Sequence, residues 1–229
     1  MTTSRYRVFI GSIGFVLVFC WLGAVQAWAQ LVVGPLDYRD YDLYDLGISN
    51  PGALAYAPES NLFFIVYAGN AGNADHVKRS VGPRIFTVSP EEIFVDVFDL
   101  DLFGLDIGAF DMSQMPPVNI AYDSRAARLL LYFPALPEVI ALQVEPNGSI
   151  GGTGNLARYP VAGLGITDAR GMVIDNLTGS LYILDNATHE VIRTQPDATG
   201  AYGTLDQAAT GVVRIHLGLP TTASLRGLA

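Results

Sequence analysis

Cysteine is almost absent from this chain: Cys20 stands alone among 229 residues, which excludes an internal disulfide and a cysteine-based zinc site. Basic residues are few, 13 Lys and Arg against 22 Asp and Glu. The resulting net charge of −9 and pI near 4.6 exclude a nucleic-acid binder, which needs a basic face to neutralise phosphates. Only 15% of the residues are charged, while half are hydrophobic and Tyr and Phe number 11 each. That composition excludes a disordered chain and a coiled coil. The length fits one domain, at most two, with ample material for a buried core. Motifs for familiar chemistry are also missing. There is no Gly-x-Ser-x-Gly elbow, His-Glu-x-x-His, phosphate loop or dinucleotide fingerprint. The single lysine, Lys78, lies beside Arg79 in a polar stretch, far from the apolar pocket that depresses an amine pKa. After residue 30 no stretch sustains an apolar period of 3.6, so no helix is predicted.

The first segment reads as a targeting signal. Residues 1–29 hold no acid, begin with Arg5 and Arg7, and continue uncharged from Val8 to Ala29. The run closes on Ala27-Trp28-Ala29, with small residues where a signal peptidase requires them. Met1–Ala29 is therefore expected to be a cleaved secretory signal, which predicts a secreted or periplasmic protein. A retained anchor is the competing reading, since about 20 apolar residues span a bilayer. The segment contains both Trp, the only Cys and two basic residues, so the remainder has a net charge of −11. Packing and sheet hydrogen bonds alone must hold that remainder together.

Residues 30–229 read as a repeat. Pro51-Gly52-Ala53-Leu54-Ala55-Tyr56 is followed by Leu62–Tyr67, Pro117–Asp123 by Leu129–Phe133, and Arg170–Asp175 by Leu181–Asp185. Each pair is a strand of small apolar residues, a polar turn of six or seven residues, and a bulkier strand. Third strands follow at Arg84–Val88, Glu138–Leu142 and His189–Arg193, and a fourth element ends at each Gly/Leu/Ile turn. Glycines 47, 104, 165 and 218 mark spacings of 57, 61 and 53 residues. The predicted units are 47–104, 105–165 and 166–218, with the start of a further one at 219–229. Four strands per unit, with small residues on the first, predict an all-β fold. Specifically, the pattern is a β-propeller of four-stranded antiparallel blades, about three of them present, because a sandwich needs no repeat in sequence. Gly52, Ala53, Ala55, Ala121 and Gly171 are then expected to line a crowded channel.

In the third unit, Gly171-Met172-Val173-Ile174-Asp175, Gly179, Leu181–Asp185 and His189–Arg193 resemble the NHL-type repeat. Blades of this kind occur in secreted bacterial six-bladed propellers, including SdiA-regulated-like proteins. The resemblance implies a turn role for His189. The last residues, Ser224–Ala229, parallel Asp168–Val173 and read as the opening of a further blade. Because rings typically close with four to eight blades, the chain is expected to be an N-terminal fragment of a longer protein.

Candidate sites are sparse. Asp96, Asp99, Asp101, Asp106 and Asp111 offer hard oxygen ligands suited to calcium, but they read better as a strand alternating Asp outward with Val, Phe and Leu inward. His216 is expected on an exposed outer strand. His76 falls in the Gly/Asn-rich insertion 68–83, a variable loop. Asn147, Asn176 and Asn186 begin glycosylation sequons at expected surface turns. The mouth of the channel is formed by loops entering the inner strands, which places Asn50, Asn119, Asp168, Arg170 and Arg226 there as candidate binding residues. No catalytic residue, metal ligand or cofactor is assigned. The functional expectation is a non-enzymatic exported propeller binding a protein, peptide or glycan, with no membrane contact apart from export. The alternative is a lactonase-like or phytase-like hydrolase holding calcium in the channel.

Overall fold

Short runs of Val, Ile, Leu, Tyr and Phe between polar turns suit a pleated sheet buried on its faces, and they form strands throughout. The computed structural model describes residue 48 and residues 51–67, 83–91, 94–100, 118–133, 136–151, 156–202, 211–220 and 222–225. The described residues all belong to one compact unit, Tyr41–Ala229. Three antiparallel meanders follow one another. The first consists of β1 (Pro51–Ala57), β2 (Leu62–Tyr67), β3 (Arg84–Val88) and β4 (Phe94–Asp99). The second consists of β5 (Asn119–Asp123), β6 (Arg128–Phe133), β7 (Glu138–Gln143) and β8 (Leu156–Pro160). The third consists of β9 (Ala169–Asp175), β10 (Ser180–Asp185), β11 (Glu190–Thr194) and β12 (Val213–His216). Each meander is one blade, and the first strands β1, β5 and β9 lie side by side. The fold is an all-β propeller arrangement of four-stranded blades. The small residues now have a reason: Ala55, Ala121 and Gly171 sit on these closely spaced inner strands, all three buried.

The repeat extends to individual hydrogen bonds. Leu100 N–H donates to the Pro83 carbonyl (3.0 Å), Val161 N–H to that of Pro137 (2.7 Å) and Leu217 N–H to that of His189 (3.1 Å). In each blade this bond ties the residue just past the outer strand to the residue before the third strand. The inner hairpin turns also correspond. They hold four residues each, shorter than the six or seven expected, because the flanking strands extend further into them. Their last residue is left-handed in every case: Asn61 (φ 53°), Ala127 (φ 46°) and Gly179 (φ 76°). Asp123 and Asp175 initiate two of these turns by accepting from the backbone two residues on, at Arg125 N (3.2 Å) and Leu177 N (2.9 Å). Such Asx geometry explains why Asp stands at those strand ends.

Burial follows from stacking blade on blade. One face of the second blade presents Ile120, Tyr122, Leu129, Leu131, Phe133, Ile140 and Leu142 to Phe64, Val66, Ile85 and Phe98 of the first. The Phe64 and Tyr122 rings stack across that seam at 6.0 Å. The other face packs Ala121, Leu130, Tyr132, Val139 and Ala141 against Met172, Ile174, Leu181, Ile183 and Ile192 of the third. With both faces covered, β5 and β6 read as near-continuous apolar runs instead of alternating ones. Each fully buried Leu or Phe here contributes roughly 1.5–3 kcal/mol of transfer free energy.

The connection after β11 works as a strap. Tyr202, 1% exposed, fills the second seam and donates its hydroxyl to the Gly179 carbonyl at 2.9 Å. Arg128 reaches the strap from the second blade, donating to the Gly200 carbonyl (3.1 Å) and the Tyr159 hydroxyl (3.2 Å). It also pairs with the buried Asp123 carboxylate at 2.9 Å, and its guanidinium lies 5.5 Å from the Tyr202 ring centre.

The expected alternation of β4 is only partly right. A register shift between Thr87 and Val88 breaks the two-residue period, leaving Phe94 and Val95 exposed while Asp96 and Asp99 are half-buried. Asp99 pairs with Arg84 at 3.5 Å instead of projecting into solvent. Asp101, Asp106, Asp111, His76 and the signal segment lie outside the described residues. No helix among the described residues is long and apolar enough to cross a membrane.

Candidate ligand-binding rim

The inner strands β5 and β9 both begin at one end of the blades, and β10 ends there. Asp185, the last residue of β10, is fully buried and organises that end. Its carboxylate accepts from Asp168 N (2.9 Å), Ala187 N (3.1 Å) and Thr167 N (3.2 Å), and from the Thr167 hydroxyl (3.1 Å). Burial alone disfavours the charge, but the backbone donors from Asp168, Thr167 and Ala187 outweigh it and hold the Asp185 carboxyl below its ordinary value. The Thr167-Asp168 segment entering β9 is thereby pinned.

Asp168 stands on that pinned segment. Its carboxylate receives the Asn186 amide at 2.8 Å and a two-pronged contact from Arg170, Nε at 2.8 Å and Nη2 at 3.2 Å. The paired geometry suits a guanidinium and a carboxylate. Arg170 is exposed and Asp168 half-buried, so the ion pair faces solvent at the rim. Asn119, first residue of β5 and buried, donates its amide to the Ala169 carbonyl at 3.3 Å. That bond joins the second and third blades at the same end. The chain beyond β12 returns here too: Leu225 N–H donates to Asn186 Oδ1 at 2.8 Å, and His189 Nε2 donates to the Ala223 carbonyl at 3.0 Å.

Three of the five sequence candidates, Asn119, Asp168 and Arg170, therefore share one rim. Asn50 and Arg226 lie outside the described residues. Two rim residues were not among the candidates, Asp185 and Asn186. The signal that marks them is an Asp-Asn pair closing the second strand of the third unit alone, where the other units have Tyr67 and Phe133. His189 takes the turn role the repeat resemblance implies, left-handed at φ 53° and buried. His216 lies on the exposed outer strand, as expected. The Asn186 sequon is no open surface turn, since both its side-chain amide groups are engaged.

No protein-family model matches the chain, and no curated protein matches it. Solved structures similar to it include a functionally unknown protein from Desulfotomaculum acetoxidans (10% identity, 73% of this chain and 43% of that one, TM-score 0.47). A nidogen/laminin complex aligns at 14% identity over 66% and 45% with a TM-score of 0.39. The periplasmic gluconolactonase of Pseudomonas aeruginosa aligns at 13% identity over 83% and 62% with a TM-score of 0.41. This chain thus spans less than two thirds of each of those proteins. At these identities and scores the blade assignment rests on the sheet topology above.

The described rim does not fit calcium. Its Asp168 carboxylate is paired with Arg170 and that of Asp185 is buried and taken up by its own donors, where the ion takes six to eight oxygen ligands. No group of three or more His, Cys, Asp or Glu gathers among the described residues.

Proposed function

We propose that the chain forms part of an exported β-propeller of the NHL type that binds a protein, peptide or glycan at the rim carrying Asn119, Asp168, Arg170 and Asn186. The observation that carries this reading is the Asp185 clamp. A buried carboxylate with four donors holds Asp168 and, through it, Arg170 in one geometry before any ligand arrives. Pre-organisation of this kind lowers the ordering cost of binding, and adjacent carboxylate, guanidinium and amide groups suit hydroxyl-rich or peptide ligands. Left-handed closing residues and Asp-initiated turns support the NHL-type reading of the third blade. Export rests on the small-x-small ending of residues 1–29.

A second reading is a calcium-dependent lactone hydrolase. Gluconolactonase is the activity printed for one of the similar structures, and this reading needs calcium ligands beyond the Asp168 carboxylate, supplied from outside the described rim. One pair of measurements separates the readings. On glycan and peptide arrays, the full chain is expected to retain ligands that Arg170→Ala and Asp168→Ala each weaken at least tenfold. Acid release from glucono-1,5-lactone is expected to stay at the uncatalysed rate with and without millimolar calcium. Calcium-dependent turnover that Asp168→Ala abolishes overturns the binding reading in favour of hydrolysis.

A further inference from the structure

Counted back from the equivalent strand ends Ala57, Asp123 and Asp175, the inner strands of the three blades carry Gly52, Val118 and Arg170 at one position. Val118 is buried in the seam with the first blade, whereas Arg170 is exposed. The backbone explains the difference. Leu184 pairs with Gly171 and Asp185 with Ala169, so Arg170 is the extra residue of a bulge. A bulge leaves its extra residue out of the ladder and re-aims a side chain, a device common beside functional sites. The third blade also departs from the other two at Asp168, Asp185 and Asn186, where neither of them has a charged residue. These residues and Arg170 form one hydrogen-bonded set centred on Asp168. Function is expected where a sequence breaks its own pattern.

Donors and acceptors are left over unevenly at this rim. A guanidinium carries five N–H groups. Arg170 gives Asp168 two of them, from Nε and Nη2, and donates from Nη1 to no group among the described residues. The acceptors are taken up: Asp168 receives Arg170 and Asn186, Asp185 receives its own donors, and Asn186 Oδ1 receives Leu225 N–H. The rim therefore offers a ligand donors, chiefly the Nη1–Nη2 edge of a guanidinium already fixed along its other edge. An ionised carboxylate is the matching group, planar and acceptor-only. Because Asp168 balances the charge of Arg170, the contact supplies orientation more than net attraction. The net charge of −9 repels a string of acids, which favours one isolated carboxylate. A sugar acid matches less well, since its hydroxyls need acceptors as well as donors. No exposed aromatic ring stands on the second or third blade to stack on a sugar, among the described residues.

We propose that the rim captures the free C-terminal carboxylate of a peptide, with Arg170 as the residue that grips it, an inference that rests on the binding reading above. One hydrogen each from Nη1 and Nη2 meets the two carboxylate oxygens, in the paired geometry that Nε and Nη2 make with Asp168. Asp185 and Asp168 act as positioning residues behind it.

A library of synthetic peptides immobilised through their N-termini, each made with a free and with an amidated C-terminus, tests this on the full chain. Retained peptides are expected to bind about tenfold more tightly as acids than as amides, the loss of a charged hydrogen bond. Arg170→Ala binds both forms alike, at the weaker level. Arg170→Lys keeps the charge without the fork and recovers only part of the preference. Arg158→Ala removes an exposed arginine from β8, where it pairs with Glu138, and keeps the full preference. Unchanged melting profiles identify the folded variants. Equal retention of acids and amides, or a preference that survives in Arg170→Ala, overturns the proposal and leaves the binding reading standing. Retention of uronic-acid oligosaccharides alone, lost in Arg170→Ala, assigns the carboxylate to a glycan and overturns the peptide. Retention of no peptide and no glycan overturns both.

Discussion

Asp185 shows how much one buried carboxylate can organise. Asp185→Ala leaves the N–H groups of Thr167, Asp168 and Ala187 without their acceptor, each such loss costing about 1–3 kcal/mol unless water replaces it. A total loss of about 2–4 kcal/mol in urea unfolding is the expected outcome. The same group sets an acid limit. Its folded pKa lies below the unfolded value of 3.8, so its contribution is complete above that value and is lost as pH falls through the folded one. Asp175 and Asp197 act in the same direction, each lowered first by a hydrogen bond from a nearby threonine hydroxyl. Tyr202 sets the opposite limit. Burial, then the Asp123 charge, pushes its phenol up to about 12 from 10.0. The neutral form stabilises the fold fully below pH 10, and that share is lost as pH rises towards 12. Tyr202→Phe is expected to flatten this alkaline arm of the melting profile while costing about 1 kcal/mol at neutral pH for the hydrogen bond to Gly179.

At the level of elements, the equivalent turns make a sharper test than any single strand. Ala127 occupies the left-handed position that Gly179 fills in the third blade, and a side chain there carries a steric penalty of about 1–2 kcal/mol. Ala127→Gly is expected to raise stability by about 0.5–1 kcal/mol, because relief of strain outweighs the added freedom of the unfolded chain. Gly179→Ala is expected to lower it: the new methyl would sit 2.2 Å from Arg125 Nη1, forcing that side chain aside, at an unfavourable φ. Denaturant midpoints measure both. The strands were legible in the sequence because small inner residues, bulky second strands and polar turns recur at spacings of 53–61 residues. The bulge in β4 was not, since Val95 carries no glycine or proline to mark it. At the rim, Asn119, Asp168 and Arg170 could be placed by strand order alone. Asp185 could not be singled out as their support, because its acceptor role depends on backbone groups brought close by the loop into β9. Arg128 and Tyr202 were equally hidden, being 74 residues apart in sequence with no shared period.

Across the whole unit, the second blade is covered on both faces and the third on one. Amide exchange measures this difference directly, since opening of a segment tracks the apolar surface it must expose. The slowest amides are expected in β6 and β7, where Leu129, Leu130, Leu131, Val139 and Ile140 are fully buried. The fastest strand amides are expected in β12, whose four residues are all exposed. Uniform protection across the three blades would contradict this hierarchy.

The strap also bears on how such an array can change over evolutionary time. Repeated blades invite duplication and recombination of single units, provided that each unit carries its own contacts. Here the segment that seals the second seam is encoded after β11, while its anchors Arg128 and Tyr159 are encoded in the preceding unit. A crossover between units would separate Tyr202 from Arg128 and leave the Arg128–Asp123 ion pair beside an unfilled space. The heritable module is therefore the pair of blades spanning 119–216, and breakpoints inside it should be tolerated only when Arg128 and Tyr202 travel together.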